Sequence, residues 1–121
     1  MYRLAITRDF IARHFLTGGD WGAENVEHSH HYRVEVRIEG DDLDQHGYLV
    51  DIVVLEGALL GLLDGFRDRV LNDLEPFLGL NPSLEHFARI LWGRLRDRLN
   101  LADRRLTVTL WENDRDWASF S

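Results

Sequence analysis

His28-Ser29-His30-His31-Tyr32-Arg33-Val34-Glu35-Val36-Arg37-Ile38-Glu39 alternates along its whole length. His28, His30, Tyr32, Val34, Val36 and Ile38 share one face, and Ser29, His31, Arg33, Glu35, Arg37 and Glu39 share the other. Side chains two apart on a strand point the same way, so this pattern predicts a half-buried strand whose core face ends in two histidines. Upstream, Tyr2 to Leu16 alternates in the same manner, with Leu4, Ile6, Phe10, Ala12 and His14 on one side. Thr17-Gly18-Gly19-Asp20 breaks that strand, and a loop runs to about Glu27. If the two strands pair antiparallel, His14 comes beside His28 and His30.

Downstream, Gly40-Asp41-Asp42 ends the second strand, and Gln45-His46-Gly47 is a turn before a short extended run from Tyr48 to Ile52. Leu55, Leu59, Leu62, Leu63, Phe66 and Val70 recur at helical spacing. Gly57, Gly61 and Gly65 fall in the same segment and imply either a weak helix or one packed closely against the sheet or a neighbour. Asn81-Pro82 reads as a second helix start, with Asn81 as N-cap and Pro82 at the first position. Leu84, Phe87, Ala88, Leu91, Leu95 and Leu99 then form one apolar stripe to about Asn100. A last strand is predicted from Arg105 to Glu112. Strands followed by helices and a closing strand predict an α+β fold, a four-stranded antiparallel sheet with two helices packed on one face, as a single domain over 1–121.

The chain has 121 residues and a formal net charge of −7, which argues against nucleic-acid or anionic-membrane partners because those need a basic face. Cysteine is absent, excluding disulfides, thiolate metal sites and a cysteine nucleophile. No apolar run is long enough to span a membrane, and Met1–Asp9 has no apolar signal core, so the expected location is cytoplasmic.

Three neutral imidazoles on one face make the open form of a catalytic zinc site, leaving a fourth position for water or substrate. His14, His28 and His30 are therefore the candidate ligands of Zn2+, and His31 points the other way. The plainer alternative is that His-Ser-His-His is a polar strand end. Glu112 continues the Leu106-Val108-Leu110 face. A carboxylate there is either a solvated strand end or a bidentate acceptor for a ligand with two adjacent N–H donors.

Six segments together resemble the 6-pyruvoyl tetrahydropterin synthase family, which includes the bacterial 6-carboxytetrahydropterin synthases of deazapurine (queuosine) biosynthesis. Phe10-Ile11-Ala12-Arg13-His14 is similar to the family's Phe-x-Ala-x-His, and His28-Ser29-His30-His31-Tyr32 to its His-Gly-His-Asn-Tyr. Gly47-Tyr48-Leu49-Val50-Asp51, Leu71-Asn72-Asp73, Asn81-Pro82-Ser83-Leu84-Glu85 and Glu112 match in order. The resemblance implies a tunnelling fold, homo-hexamers built as a dimer of trimers, and zinc on His14, His28 and His30. It also implies a small-molecule pterin substrate held by Glu112 with help from Asn81 and Ser83.

The chain departs from that pattern in its proton-transfer groups. The bacterial members carry a cysteine four residues before the first histidine of His-x-His, where this chain has Glu24. The family's Asp-His pair corresponds to Arg67 and Asp68 when aligned on Leu71-Asn72, and aligning on Leu63-Asp64 puts Gly65 in the histidine's place. The expected function is a zinc-dependent lyase acting on dihydroneopterin triphosphate or a related pterin, with Glu24 as base and Asp68 as a second proton-moving group. One alternative is a zinc- and pterin-binding homologue that has lost the lyase activity. The other is a tunnelling-fold domain whose histidines serve only polar packing.

Overall fold

The computed structural model describes residues 1–121. Four strands, β1 (Tyr2–His14), β2 (His28–Gly40), β3 (Arg105–Trp111) and β4 (Trp117–Phe120), form one antiparallel sheet in the order β1-β2-β3-β4. Two helices, α1 (Ile52–Leu63) and α2 (Leu84–Arg98), pack on one face. The alternation in sequence decides which face. Phe10 and Ala12 of β1, Tyr32, Val34, Val36 and Ile38 of β2, and Leu106, Val108 and Leu110 of β3 are all buried. They meet Leu55, Leu59, Leu62 and Leu63 of α1 and Phe87, Ala88, Leu91 and Leu95 of α2. The opposite face of the sheet carries Asp9, His31, Arg33 and Arg37, which stay exposed. Burial of this apolar set is the main driving force, and the Trp92 indole adds a directional tie by donating to the Leu106 carbonyl at 2.9 Å.

Three expectations are corrected. Tyr48 to Ile52 is not a strand: the Asp44 carboxylate accepts from the His46 and Tyr48 amides at 2.8 and 3.0 Å and curls the segment. Asp51 then caps α1 by accepting from the Val53 amide at 2.9 Å. The fourth strand is instead β4, reached through a turn in which Asn113 Oδ1 accepts from the Arg115 and Asp116 amides, both at 2.8 Å. The cap of α2 is Ser83, whose hydroxyl accepts from the His86 amide at 3.2 Å, and Pro82 precedes it. Asn81 is used elsewhere, its side-chain oxygen accepting from the Thr17 amide at 2.9 Å.

The first helix also stops early, at Leu63 and not near Val70. Past Gly65 the chain turns back to cover the outer edge of β1. The Asp68 amide donates to the Ile11 carbonyl at 2.7 Å and the Arg13 amide to the Arg69 carbonyl at 2.9 Å. This capping of an otherwise open strand edge competes successfully with further helix. Asp68 adopts a φ of 60° to make the turn.

The helix glycines are not packed against the sheet. A Cβ at Gly57 would meet nothing within 4 Å, and at Gly61 only the Arg98 guanidinium, at 3.3 Å. Gly57→Ala is therefore expected to stabilise the protein by about 0.5–1 kcal/mol, through helix propensity and reduced freedom of the unfolded chain. Urea denaturation measures this, and a loss of stability would show that the Gly57 face is in close contact with something.

Candidate metal and ligand site

The register sets β1 His14 directly opposite β2 His28, with Ala12 opposite His30. The three imidazoles close into a triangle with ring-centroid separations of 4.6, 4.8 and 4.8 Å. His28 Nε2 lies 3.0 Å from His30 Nε2. His14 is the one buried polar residue of the core, and its Nε2 has no hydrogen-bond partner.

Backbone carbonyls fix how the rings are presented. His14 Nδ1 lies 3.1 Å from the Pro82 carbonyl, and His28 Nδ1 lies 2.7 Å from the Val26 carbonyl. A carbonyl only accepts, so each Nδ1 carries a proton, and that bond turns each Nε2 toward the centre. Ligating histidines are commonly oriented in this way, by the hydrogen bond their other nitrogen makes. The Tyr32 hydroxyl lies 3.2 Å from His14 Nδ1. Burial first, with the negative charges of Glu112 and Glu24, holds Tyr32 far above the usual phenol range, so it stays neutral.

Glu24 reaches the triangle from a short 3-10 turn at Gly22–Asn25. Its Oε2 is 2.8 Å from His28 Nε2. One ligand atom from each of His14, Glu24, His28 and His30 lies within 4.8 Å of the others. Tetrahedral zinc ligands, each about 2.0–2.3 Å from the ion, fit that span. The converging imidazoles, the partnerless buried His14 Nε2 and the carboxylate make a donor set suited to a divalent cation.

Glu112 follows β3 and lies beyond the cluster, its carboxylate 3.9 Å from His30 Nε2. Partial burial above all pushes the Glu112 carboxyl up, Glu24 and Asp116 add to this, and His30 and His28 oppose it. A cavity of about 290 Å³ is lined by His14, Glu24, Asn81, Ser83, Glu85 and Glu112, among others. The Ser83 oxygen accepts the α2 cap bond and the Asn81 oxygen accepts from Thr17, and the Ser83 O–H and the Asn81 amide N–H remain as donors.

Two residues lie apart. His31 faces the other side of the sheet, 3.3 Å from Asp9. Asp68 lines a separate cavity with Asp9, Ile11, His31 and Arg67, so within one subunit it does not meet the histidines. The supports missed by sequence reasoning are mostly backbone carbonyls, which no residue pattern encodes. Asn72 is an exception: both ends of its amide bind the Phe15 backbone, at 3.0 and 2.9 Å, and hold the end of β1 beside His14.

In the metal-free protein His14 is pushed down to about 4, chiefly by burial, then by the charges of His30 and His28. The Pro82 carbonyl and Glu24 act the other way. The unfolded chain, with His14 near 6.5, then binds more protons than the native state between pH 6.5 and 4. Stability should therefore fall as pH drops through that window, by about 3 kcal/mol from this group, with no further loss from it below pH 4. Urea titrations of metal-free wild type and His14→Asn should differ in this slope, and parallel pH profiles would contradict it.

A family model described as 6-pyruvoyl tetrahydropterin synthase matches residues 3–121. The 6-carboxy-5,6,7,8-tetrahydropterin synthase of Bacillus subtilis (strain 168) is 30% identical over 112 residues, covering 88% of this chain and 75% of the relative. The solved 6-pyruvoyl tetrahydropterin synthase of Caenorhabditis elegans superposes with a TM-score of 0.89 at 22% identity, over 98% of this chain and 94% of that one. A catalytic-residue mutant of Plasmodium vivax 6-pyruvoyltetrahydropterin synthase, with a glutamate replaced by alanine, gives 0.81 at 15% identity, over 98% and 96%. The four-stranded antiparallel sheet carrying two helices on one face is thus the tunnelling fold, and with that family match running nearly end to end the chain belongs to the 6-pyruvoyl tetrahydropterin synthase family.

Proposed function

We propose that this protein is a zinc-dependent lyase of pterin metabolism, breaking a carbon–oxygen or carbon–carbon bond in dihydroneopterin triphosphate or a related pterin. The observation that carries the reading is the convergence of three imidazoles, one of them buried with a partnerless Nε2, beside a cavity that His14 lines together with Glu24 and Glu112. The names of the relatives supply the substrate class. His14, His28 and His30 would hold the metal. Zinc bound there would polarise a hydroxyl or carbonyl of the pterin side chain and acidify the adjacent C–H bonds.

The remaining work falls to the chain's own groups. Glu112 accepts the two N–H donors of the ring edge, and the Ser83 and Asn81 donors bind ring or side-chain acceptors. Glu24 takes the proton, from carbon where a C–O bond breaks with loss of triphosphate and from a side-chain hydroxyl where a C–C bond breaks with release of a carbonyl fragment. A catalytic glutamate in the Plasmodium vivax relative is a precedent for a carboxylate in such a site. Asp68, in another cavity, leaves Glu24 as the base within a subunit.

Turnover of dihydroneopterin triphosphate and of dihydroneopterin tests the proposal. Wild type should convert at least one of them, and Glu24→Gln should lose activity by about 10²-fold or more. A second reading, a zinc- and pterin-binding homologue without lyase activity, is favoured by the lack of a histidine at Arg67, Asp68 or Gly65. Binding without turnover of either substrate would select it.

The sheet also bears on assembly. Its β4 edge is a single four-residue strand and its β1 edge is covered only near Ile11 and Arg13, so it has edges that closure with other subunits would satisfy. A hexamer built as a dimer of trimers is the proposed state. Analytical ultracentrifugation reads it directly, and a concentration-independent monomer would refute it.

A further inference from the structure

We infer that the Trp21 indole is the plate on which the pterin ring stacks, so that this chain selects a flat heteroaromatic ring by its face as well as by its edge. The inference rests on the pterin reading above and adds the group that holds the ring's face. The polar groups of the cavity of about 290 Å³ address only an edge: Glu112, Asn81 and Ser83 offer hydrogen bonds, which a flat ring takes in its own plane. The faces of such a ring need apolar or aromatic contact. Leu16, Trp21 and Leu84 are the apolar part of the lining, and of the three only Trp21 is flat. Trp21 is 46% exposed, so a ligand seated there buries apolar surface that the fold leaves in water.

The loop is knit so as to hold the indole in place. The Trp21 amide donates to the Asn25 side-chain oxygen at 2.7 Å, and the Asn25 side-chain nitrogen donates to the Leu16 and Gly19 carbonyls, both at 3.0 Å. The Trp21 carbonyl accepts from the Glu24 amide at 3.2 Å. Gly19 abuts the rim of the six-membered ring: a Cβ there would lie 2.7 Å from Cη2 and 2.9 Å from Cζ3. Gly19 does not adopt a positive φ, so its backbone would accept a side chain, and the missing Cβ makes room for the indole instead. A ring fixed before the ligand arrives loses little freedom on binding, which lets a single stacking contact count. A ring face set by Trp21 and a ring edge set by Glu112 together fix where the pterin side chain falls in the cavity that Glu24 and His14 also line.

The test is calorimetric titration of the zinc-loaded full chain with neopterin. Trp21→Leu, which keeps apolar bulk without a flat ring, should weaken binding about tenfold, while Trp21→Phe, which keeps a flat ring, should retain most of it. Gly19→Ala should also weaken neopterin, by pushing the indole aside, and all three variants should keep their zinc. Wild-type affinity in Trp21→Leu, equal affinities in the Leu and Phe variants, or loss of zinc along with the pterin would overturn the inference, the indole then serving only to hold the loop. Weakened binding in Glu112→Gln with none in Trp21→Leu would strike the stacking alone and leave the pterin reading standing. Wild type that binds no neopterin would overturn the pterin reading itself, and the inference with it.

Discussion

His14→Ala is expected to strip the protein of nearly all its zinc. His14 is the buried member of the triangle, and its Nε2 has no partner other than whatever occupies the centre. Its proton is committed to the Pro82 carbonyl, so the ring cannot turn to offer another nitrogen without losing that bond. Removing a direct ligand should cost more than the ten- to hundredfold typical of losing a group one step further out, so the variant's affinity should drop by more than about a hundredfold. His28→Ala should behave alike, since its Nε2 lies at the centre of the contacts. His31→Ala should keep its metal, because His31 pairs with Asp9 on the far side of the sheet. Metal analysis after dialysis reads all three. Equal loss from the His31 change would mean that the strand's facing is not what binds the ion.

Glu112→Gln is expected to weaken pterin binding roughly tenfold or more. A 2-amino-4-oxo ring presents two parallel donors, and a carboxylate accepts both at once with charge assistance. The amide replaces one acceptor by a donor, so one hydrogen bond is lost and two donors confront each other. A buried donor left unpaired costs about 1–3 kcal/mol, which is about tenfold or more in affinity. The burial that raises the Glu112 pKa is what makes the loss felt, because water cannot readily replace the missing acceptor. Calorimetric titration with neopterin or biopterin measures it. Unchanged affinity would make Glu112 a solvated strand end.

The long alternating strands carried most of what could be read in advance. A period of two over β1 and β2 leaves one choice of buried face, and an antiparallel pairing that matches these faces sets His14 opposite His28. The order of apolar segments likewise announced helices over one side of a sheet. What the pattern missed was decided by short polar contacts. The Asp44 turn removed the expected strand at Tyr48, and the Asn113 turn created β4 from only four residues. The end of α1 was set by the chain's return to the β1 edge, a tertiary demand that helical spacing does not record. In the site, residues on strands were legible from the alternation, whereas the loop residues Glu24, Asn81 and Ser83 were marked only by the family resemblance. The closeness of Glu24 to His28 depends on the adjacent Asn25, whose side-chain amide donates to the Leu16 carbonyl at 3.0 Å, and the isolation of Asp68 depends on its left-handed turn.

If metal and pterin meet in one cavity of this chain, crystals grown with zinc, soaked in neopterin and measured at the zinc absorption edge will show both. The expected map has a single anomalous peak among His14, His28 and His30, with the pterin's donor edge against Glu112 and its side chain turned toward the peak. A histidine triangle without a peak, or a pterin bound away from Glu112 with the metal in place, would contradict it.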